Sequence, residues 1–143
     1  MKTNQVFVSL LACAAVAFAA NLIRSKRAAY ELPAGVEFFI PGIRTTFACP
    51  DEGIFADIDN ACQLFHMCRI VDGQFEQHTF ACGNKTLFNQ FSMTCDFEEN
   101  VNCGSSQELF YLARLIGQDK EFLHTSADVD RAYQLGFGNR LRK

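Results

Sequence analysis

Hydrophobic positions divide the 143-residue chain into stretches of different character. Val6 to Ala20 is an apolar run broken only by Ser9. Beyond it, apolar residues come in short segments bounded by turn formers. Gly53 to Ala56 and Gln63 to Val71 are strand candidates, the second rich in apolar and β-branched residues. Gln74 to Ala81 is a third, with Phe75 and Phe80 among mostly polar neighbours. Asp72-Gly73 stands between the second and third, and Asp-Gly is a strong hairpin signal. Thr86 to Asn89 and Met93 to Phe97 flank a polar turn at Asn89 to Ser92, which predicts a smaller hairpin.

After Cys103 the period changes. Ser105-Ser106-Gln107-Glu108 has a capping-box pattern, and Leu109, Leu112, Leu115 and Ile116 recur at helical spacing until Gly117. A weaker helix is predicted from Asp128 to Leu135, followed by a loose basic tail from Gly136 to Lys143. Residues 104–143 thus read as a helical and flexible tail. Its apolar face is expected to pack back on the module, with a protein partner as the alternative. Residues 28–46 hold Pro33, Gly35, Pro41 and Gly42 around Phe38-Phe39-Ile40, and read as an extended lead-in that packs its aromatics on the module.

The N-terminus is a targeting segment. Lys2, the apolar run and Ala17-Phe18-Ala19 make a signal peptide over residues 1–19. At about 15 residues the run is shorter than the roughly 20 a spanning helix needs, so no membrane segment is expected in the mature form. Arg24-Ser25-Lys26-Arg27 marks a basic cleavage site closing a pro-segment over residues 20–27. The product is expected to be secreted, extracellular and to start near Ala28.

Of seven cysteines, Cys13 falls in the signal. Cys49, Cys62, Cys68, Cys82, Cys95 and Cys103 remain, an even number in a secreted chain, which reads as a disulfide framework. Zinc sites use closer pairs and reduced thiols, so no metal and no cofactor are expected. A module of this size buries too little apolar surface to hold itself firmly, and each bridge contributes about 3 kcal/mol. Six cysteines allow fifteen pairings, and spacing does not choose among them. The predicted fold class is small disulfide-rich β, a three-stranded antiparallel sheet plus a two-stranded hairpin, with a short helical C-terminal extension.

Charge narrows the partner. Without Lys2, Arg24, Lys26 and Arg27, nine basic residues face sixteen acidic ones. Between Cys49 and Cys103 only Arg69 and Lys85 are basic, against nine acidic residues. Nucleic acid needs the opposite sign, and a neutral or partly cationic partner fits. Asp57 with Asp59, or Glu98 with Glu99, read as a solvated acidic face rather than an acid–base pair, since a module this small offers no cleft to split their pKa values. No nucleophile elbow is present, and no catalysis is expected. Asn84-Lys85-Thr86 is an N-glycosylation sequon, which makes Asn84 a glycosylation candidate.

Several motifs carry a resemblance. Cys49-Pro50 is followed by Gly53-Ile54-Phe55-Ala56-Asp57. Cys62 and Cys68 enclose five residues that include Phe65 and His66, and Asp72-Gly73 follows. Leu87-Phe88-Asn89 precedes the ending Cys95-Asp96-Phe97-Glu98-Glu99-Asn100-Val101-Asn102-Cys103. In this order they resemble the chitin-binding type-2 module, also called the peritrophin-A domain or carbohydrate-binding module family 14, over residues 47–103. The resemblance implies the bridges Cys49–Cys68, Cys62–Cys103 and Cys82–Cys95. Departures are Phe65 and His66 where tyrosines are usual, Phe97 where Trp is common, and Glu98 where Pro is frequent. A single-module secreted chain of this kind resembles either peritrophin-related cuticle proteins or centipede-venom components of the scoloptoxin type, the latter with a protein target.

The ligand that the resemblance implies is chitin, or partly deacetylated chitin with ammonium groups that suit the acidic module. Flat sugar faces stack on aromatic rings, and amides and hydroxyls meet a few placed polar groups. The candidates are Phe97, by its match to the family aromatic, then Asn89, Phe88 and an exposed His66. Phe65 is expected in the core.

Overall fold

The computed structural model describes residues 30–118 and 123–138. The expected signal peptide and cleavage site, residues 1–27, and tail residues 139–143 lie outside the described residues. Strands β1 (Gly53–Ala56), β2 (Leu64–Val71) and β3 (Gln74–Ala81) form an antiparallel sheet in the order β1-β2-β3. β4 (Thr86–Asn89) and β5 (Thr94–Phe97) form a separate two-stranded sheet. β2 and β3 pair from Leu64↔Ala81 to Val71↔Gln74, which leaves Asp72 and Gly73 as a two-residue turn. Their φ values, 51° and 76°, are both positive, as a type I′ turn requires and as Asp and Gly tolerate.

Three disulfides hold these pieces. Cys49–Cys68 ties the approach to β1 onto β2. Cys62–Cys103 ties the loop before β2 to the first residue of a C-terminal helix. Cys82–Cys95 joins the end of β3 to β5. A side chain completes the junction between the two sheets. Gln90, fully buried, accepts a hydrogen bond from the Ala56 backbone N–H (2.8 Å) and donates to the Ile54 carbonyl (2.9 Å). Its amide thus satisfies the outer edge of β1 as a neighbouring strand would.

The helix after the last cysteine begins earlier than its capping-box pattern predicts and coils more tightly. It is a 3-10 helix over Cys103–Leu115, so Ser105 lies inside it. Ser106, Leu109 and Leu112 are buried and Leu115 is half-buried. Every third residue faces inward, the period of a 3-10 helix. Its close approach to β1 depends on Gly53, whose φ is 140°. A Cβ there would lie 2.7 Å from the Ala113 carbonyl oxygen. Helix α1 (Ser126–Gln134) starts two residues before its expected boundary, because Thr125 caps it in a reciprocal box with Asp128.

The tail expectation needs correction at residues 136–138. Phe137 is buried against Leu109, Leu112 and Ala132, and the Gly138 N–H donates to the Asn100 carbonyl. A large apolar ring gains more by filling this space than by remaining solvated. The leucine face packs back inside the molecule, as expected, with Phe91, Met93 and Val101 at its border, and only Ile116 of the four positions is left exposed. The lead-in also differs from the extended form expected of it. It bends through a 3-10 turn at Val36–Phe38. Phe38 and Phe39 face solvent and Ile40 is buried, while the lead-in's aromatic contact to the module comes from Tyr30, beside Phe47 at the module's start. Among the described residues no helix is long and apolar enough to cross a membrane.

Candidate functional site

Side chains alternate across β2, so Phe65 and His66 project from opposite faces. On the Phe65 face three rings form layers. Phe65 pairs across the strands with Phe80, and the two rings stack at 5.3 Å between centroids and 21° between planes. Phe65 also stacks on Phe88 at 4.4 Å and 15°. Phe88 is buried, Phe65 half-buried and Phe80 exposed. Phe88 lies opposite Cys95 in the β4–β5 pair. Phe97, two residues further along β5, therefore shares the Phe88 face, and it is 51% exposed. The Asp96 carboxylate fixes the backbone there, accepting from the Phe97 N–H (2.7 Å) and from the Asn100 amide (3.0 Å).

The opposite face holds a buried polar cluster. His66 and Asp57 are 0% and 1% exposed, with His66 Nε2 2.8 Å from Asp57 Oδ2. A carboxylate only accepts, so Nε2 carries the proton. His66 Nδ1 meets the Thr79 hydroxyl at 2.9 Å. Asp57 also accepts from the Asn60 backbone N–H and side-chain amide and from the Tyr30 hydroxyl. Burial alone would raise the Asp57 carboxyl, but the hydrogen bonds from His66 and Asn60 outweigh it and hold the pKa below its ordinary value. Burial, followed by the charge of Asp57, pushes the Tyr30 phenol up. Phe47 stacks on the His66 ring at 4.0 Å, and Tyr30 meets it edge-on at 5.1 Å. The cluster thus clasps the lead-in to the sheet.

The four candidate ligand residues part company. Phe97 stands on the surface. Phe88, Asn89 and His66 are buried, at 1%, 3% and 0% exposed. For His66 the expected exposure is corrected: its ring lies under Phe47 and its two nitrogens are spent on Asp57 and Thr79. Asn89 works on its own turn, its side-chain oxygen accepting from the Phe91 and Ser92 N–H groups. Phe88 backs Phe65. Asn84 is exposed in the turn before β4, open to modification. Among the described residues no group of three or more His, Cys, Asp or Glu side chains could hold a metal ion. Phe80, which is not among the four candidates, stands opposite Phe65 in the register that the Asp72-Gly73 hairpin sets.

Six paired cysteines, two small antiparallel sheets and a ring on the last strand set the terms for comparison with known proteins. Residues 49–103 match the chitin binding Peritrophin-A domain family. The match runs from the first bridged cysteine to the last, so the disulfide framework and the matched region share their limits. Among curated proteins, "U-scoloptoxin(01)-Er1a" of Ethmostigmus rubripes is 36% identical over 76 residues, 53% of this chain and 56% of that protein. "U-scoloptoxin(01)-Cw1a" of Cormocephalus westwoodi is 31% identical over 76 residues, with the same coverage of each chain. The chain thus spans a little over half the length of these relatives. No solved structure matches.

Proposed function

We propose that the protein is a secreted, non-catalytic chitin-binding protein of an extracellular matrix or cuticle, and that Phe97 stacks on a sugar face. The observation that carries this reading is the half-exposed Phe97 ring, on backbone held by Asp96, within a module that matches a chitin-binding family. Flat apolar sugar faces favour such a ring. Phe88 and Asn89 act from behind, one backing the ring layer and the other shaping the β4–β5 turn. Secretion is supported by the signal-like N-terminus and by six cysteines engaged in bridges.

Absence of catalysis is supported by the state of the acidic residues. Asp57, His66 and Thr79 form a hydrogen-bonded line that resembles an acid–base relay, yet all three are buried beyond the reach of a substrate. Asp59 is engaged by the Thr46 hydroxyl. Glu98 and Glu99 lie exposed on a 3-10 turn.

The test is retention of the oxidised protein on chitin beads beside its Phe97→Ala form. Loss of one stacked ring should weaken retention about five- to tenfold. Retention unaffected by the substitution would move the site away from Phe97. No retention, with three bridges confirmed by mass, would favour a second reading. In that reading the module is a scaffold for a venom-gland protein with a protein target, and the toxin element in the names of both relatives supports a toxin-like role.

A further inference from the structure

We propose that Phe80 is a second aromatic contact for the same polysaccharide, so that the site crosses the seam between the two sheets. The inference rests on the chitin-binding reading above and adds to it a footprint and a preference for long chains.

Three observations place Phe80 and Phe97 on one surface. Phe80 is paired and stacked with Phe65, which stacks on Phe88, and Phe88 shares a face of its hairpin with Phe97. The ring layer therefore starts at exposed Phe80, passes through half-buried Phe65 to buried Phe88, and ends on the hairpin face that also carries exposed Phe97. The Cys82–Cys95 bridge supplies the second constraint. Its Cα atoms are 5.7 Å apart. Phe80 is two residues before Cys82 and Phe97 two residues after Cys95, so their Cα atoms lie within about 20 Å of each other. Neither strand can drift from the other without breaking the bridge. The third observation is exposure itself. Phe80 is 41% exposed although its neighbour Thr79 is buried, so alternation along β3 turns this ring outward.

Two rings fixed on one framework suit a polymer with repeating flat faces. A short oligomer covers one ring and gains nothing from the other. A long one covers both, and the second contact forms at the high effective concentration set by the first. Phe75 provides an internal control. It is on the same strand and 48% exposed, but five residues from Phe80, and it pairs with Ile70 on the opposite face.

The experiment is calorimetric titration of the full oxidised chain with soluble N-acetylglucosamine oligomers, from the disaccharide to the hexasaccharide. Wild-type affinity should climb with length. Phe80→Ala should bind the disaccharide as wild type does and lose the climb, ending about five- to tenfold weaker on the hexasaccharide. Phe97→Ala should weaken binding at every length, and Phe75→Ala should change nothing. Phe80→Trp, which keeps the Phe65 stack, should strengthen hexasaccharide binding, and it reports on the site should the alanine form fold poorly. A full climb in Phe80→Ala, an unaltered hexasaccharide affinity in Phe80→Trp, or an equal loss in Phe75→Ala would overturn the second contact and leave the Phe97 reading standing. A wild-type protein with intact bridges that binds no oligomer at any length would overturn both.

Discussion

Phe65 and His66 are neighbours in the chain and end in opposite worlds. Phe65 joins a layer of rings that opens to solvent at Phe80. His66 is sealed under Phe47, with Asp57 and Thr79 on its two nitrogens. Both occupy the interval between Cys62 and Cys68 where paired rings are expected, and one step along a strand separates a surface role from a structural one. In a module this small, one face of the sheet holds the lead-in while the other carries the ring layer that ends at exposed Phe80.

The strongest way to break this comparison is His66→Ala. It leaves the Asp57 carboxylate buried without its partner and should cost about 3–5 kcal/mol, read by guanidinium unfolding with bridges intact. Sugar affinity of the folded fraction should not change. A cost below about 1 kcal/mol would mean that the cluster is not what clasps the lead-in.

Acid should act on the same face next. The Asp57 pKa is depressed in the folded chain relative to its ordinary 3.8, so unfolding takes up a proton and the stabilisation is complete only above that value. Asp128, held down to about 2 by hydrogen bonds from Tyr111 and Thr125, behaves alike at the capping box of α1. Tm should therefore stay level above about pH 5 and fall progressively below pH 4. Asp57→Asn should lose part of that dependence, and an unaltered profile would remove Asp57 from the account.

The smallest effect belongs to the open face. With Asp57 buried, eight acidic residues against two basic ones remain in the module, and on the proposed reading they would favour a polymer bearing ammonium groups. Raising salt from about 0.05 to 0.5 M should weaken binding to partly deacetylated chitin roughly two- to threefold and leave fully acetylated chitin unaffected. Equal affinity for both polymers at low salt would show that the acidic surface takes no part in recognition.

Much of the architecture is readable from local pattern. Each strand was legible to within one residue, because Asp72-Gly73 and the alternation around it leave one register in which apolar faces coincide. The candidate site was less legible. The four residues Phe97, Asn89, Phe88 and His66 are all of types that meet sugars, and residue type says nothing about which side of a strand the core will cover. Asn89 and Gln90 make the point in adjacent positions, since both are polar and both are buried, each because it closes backbone groups that packing would otherwise orphan.

The sequence by itself determined the β-module, its hairpin turn, its acidic charge and an even set of cysteines, since each follows from residues close in the chain or from counting. Only the tertiary structure decided which ring stays outside, that the lead-in bends and clasps His66, and that Phe137 closes the core under the C-terminal helices. It also decided that the helix after Cys103 is a 3-10 helix, and that it lies close against β1, where Gly53 leaves room for the Ala113 backbone. These outcomes depend on contacts between segments far apart in the chain, and such contacts are settled by which packing buries the most apolar surface with every polar group satisfied.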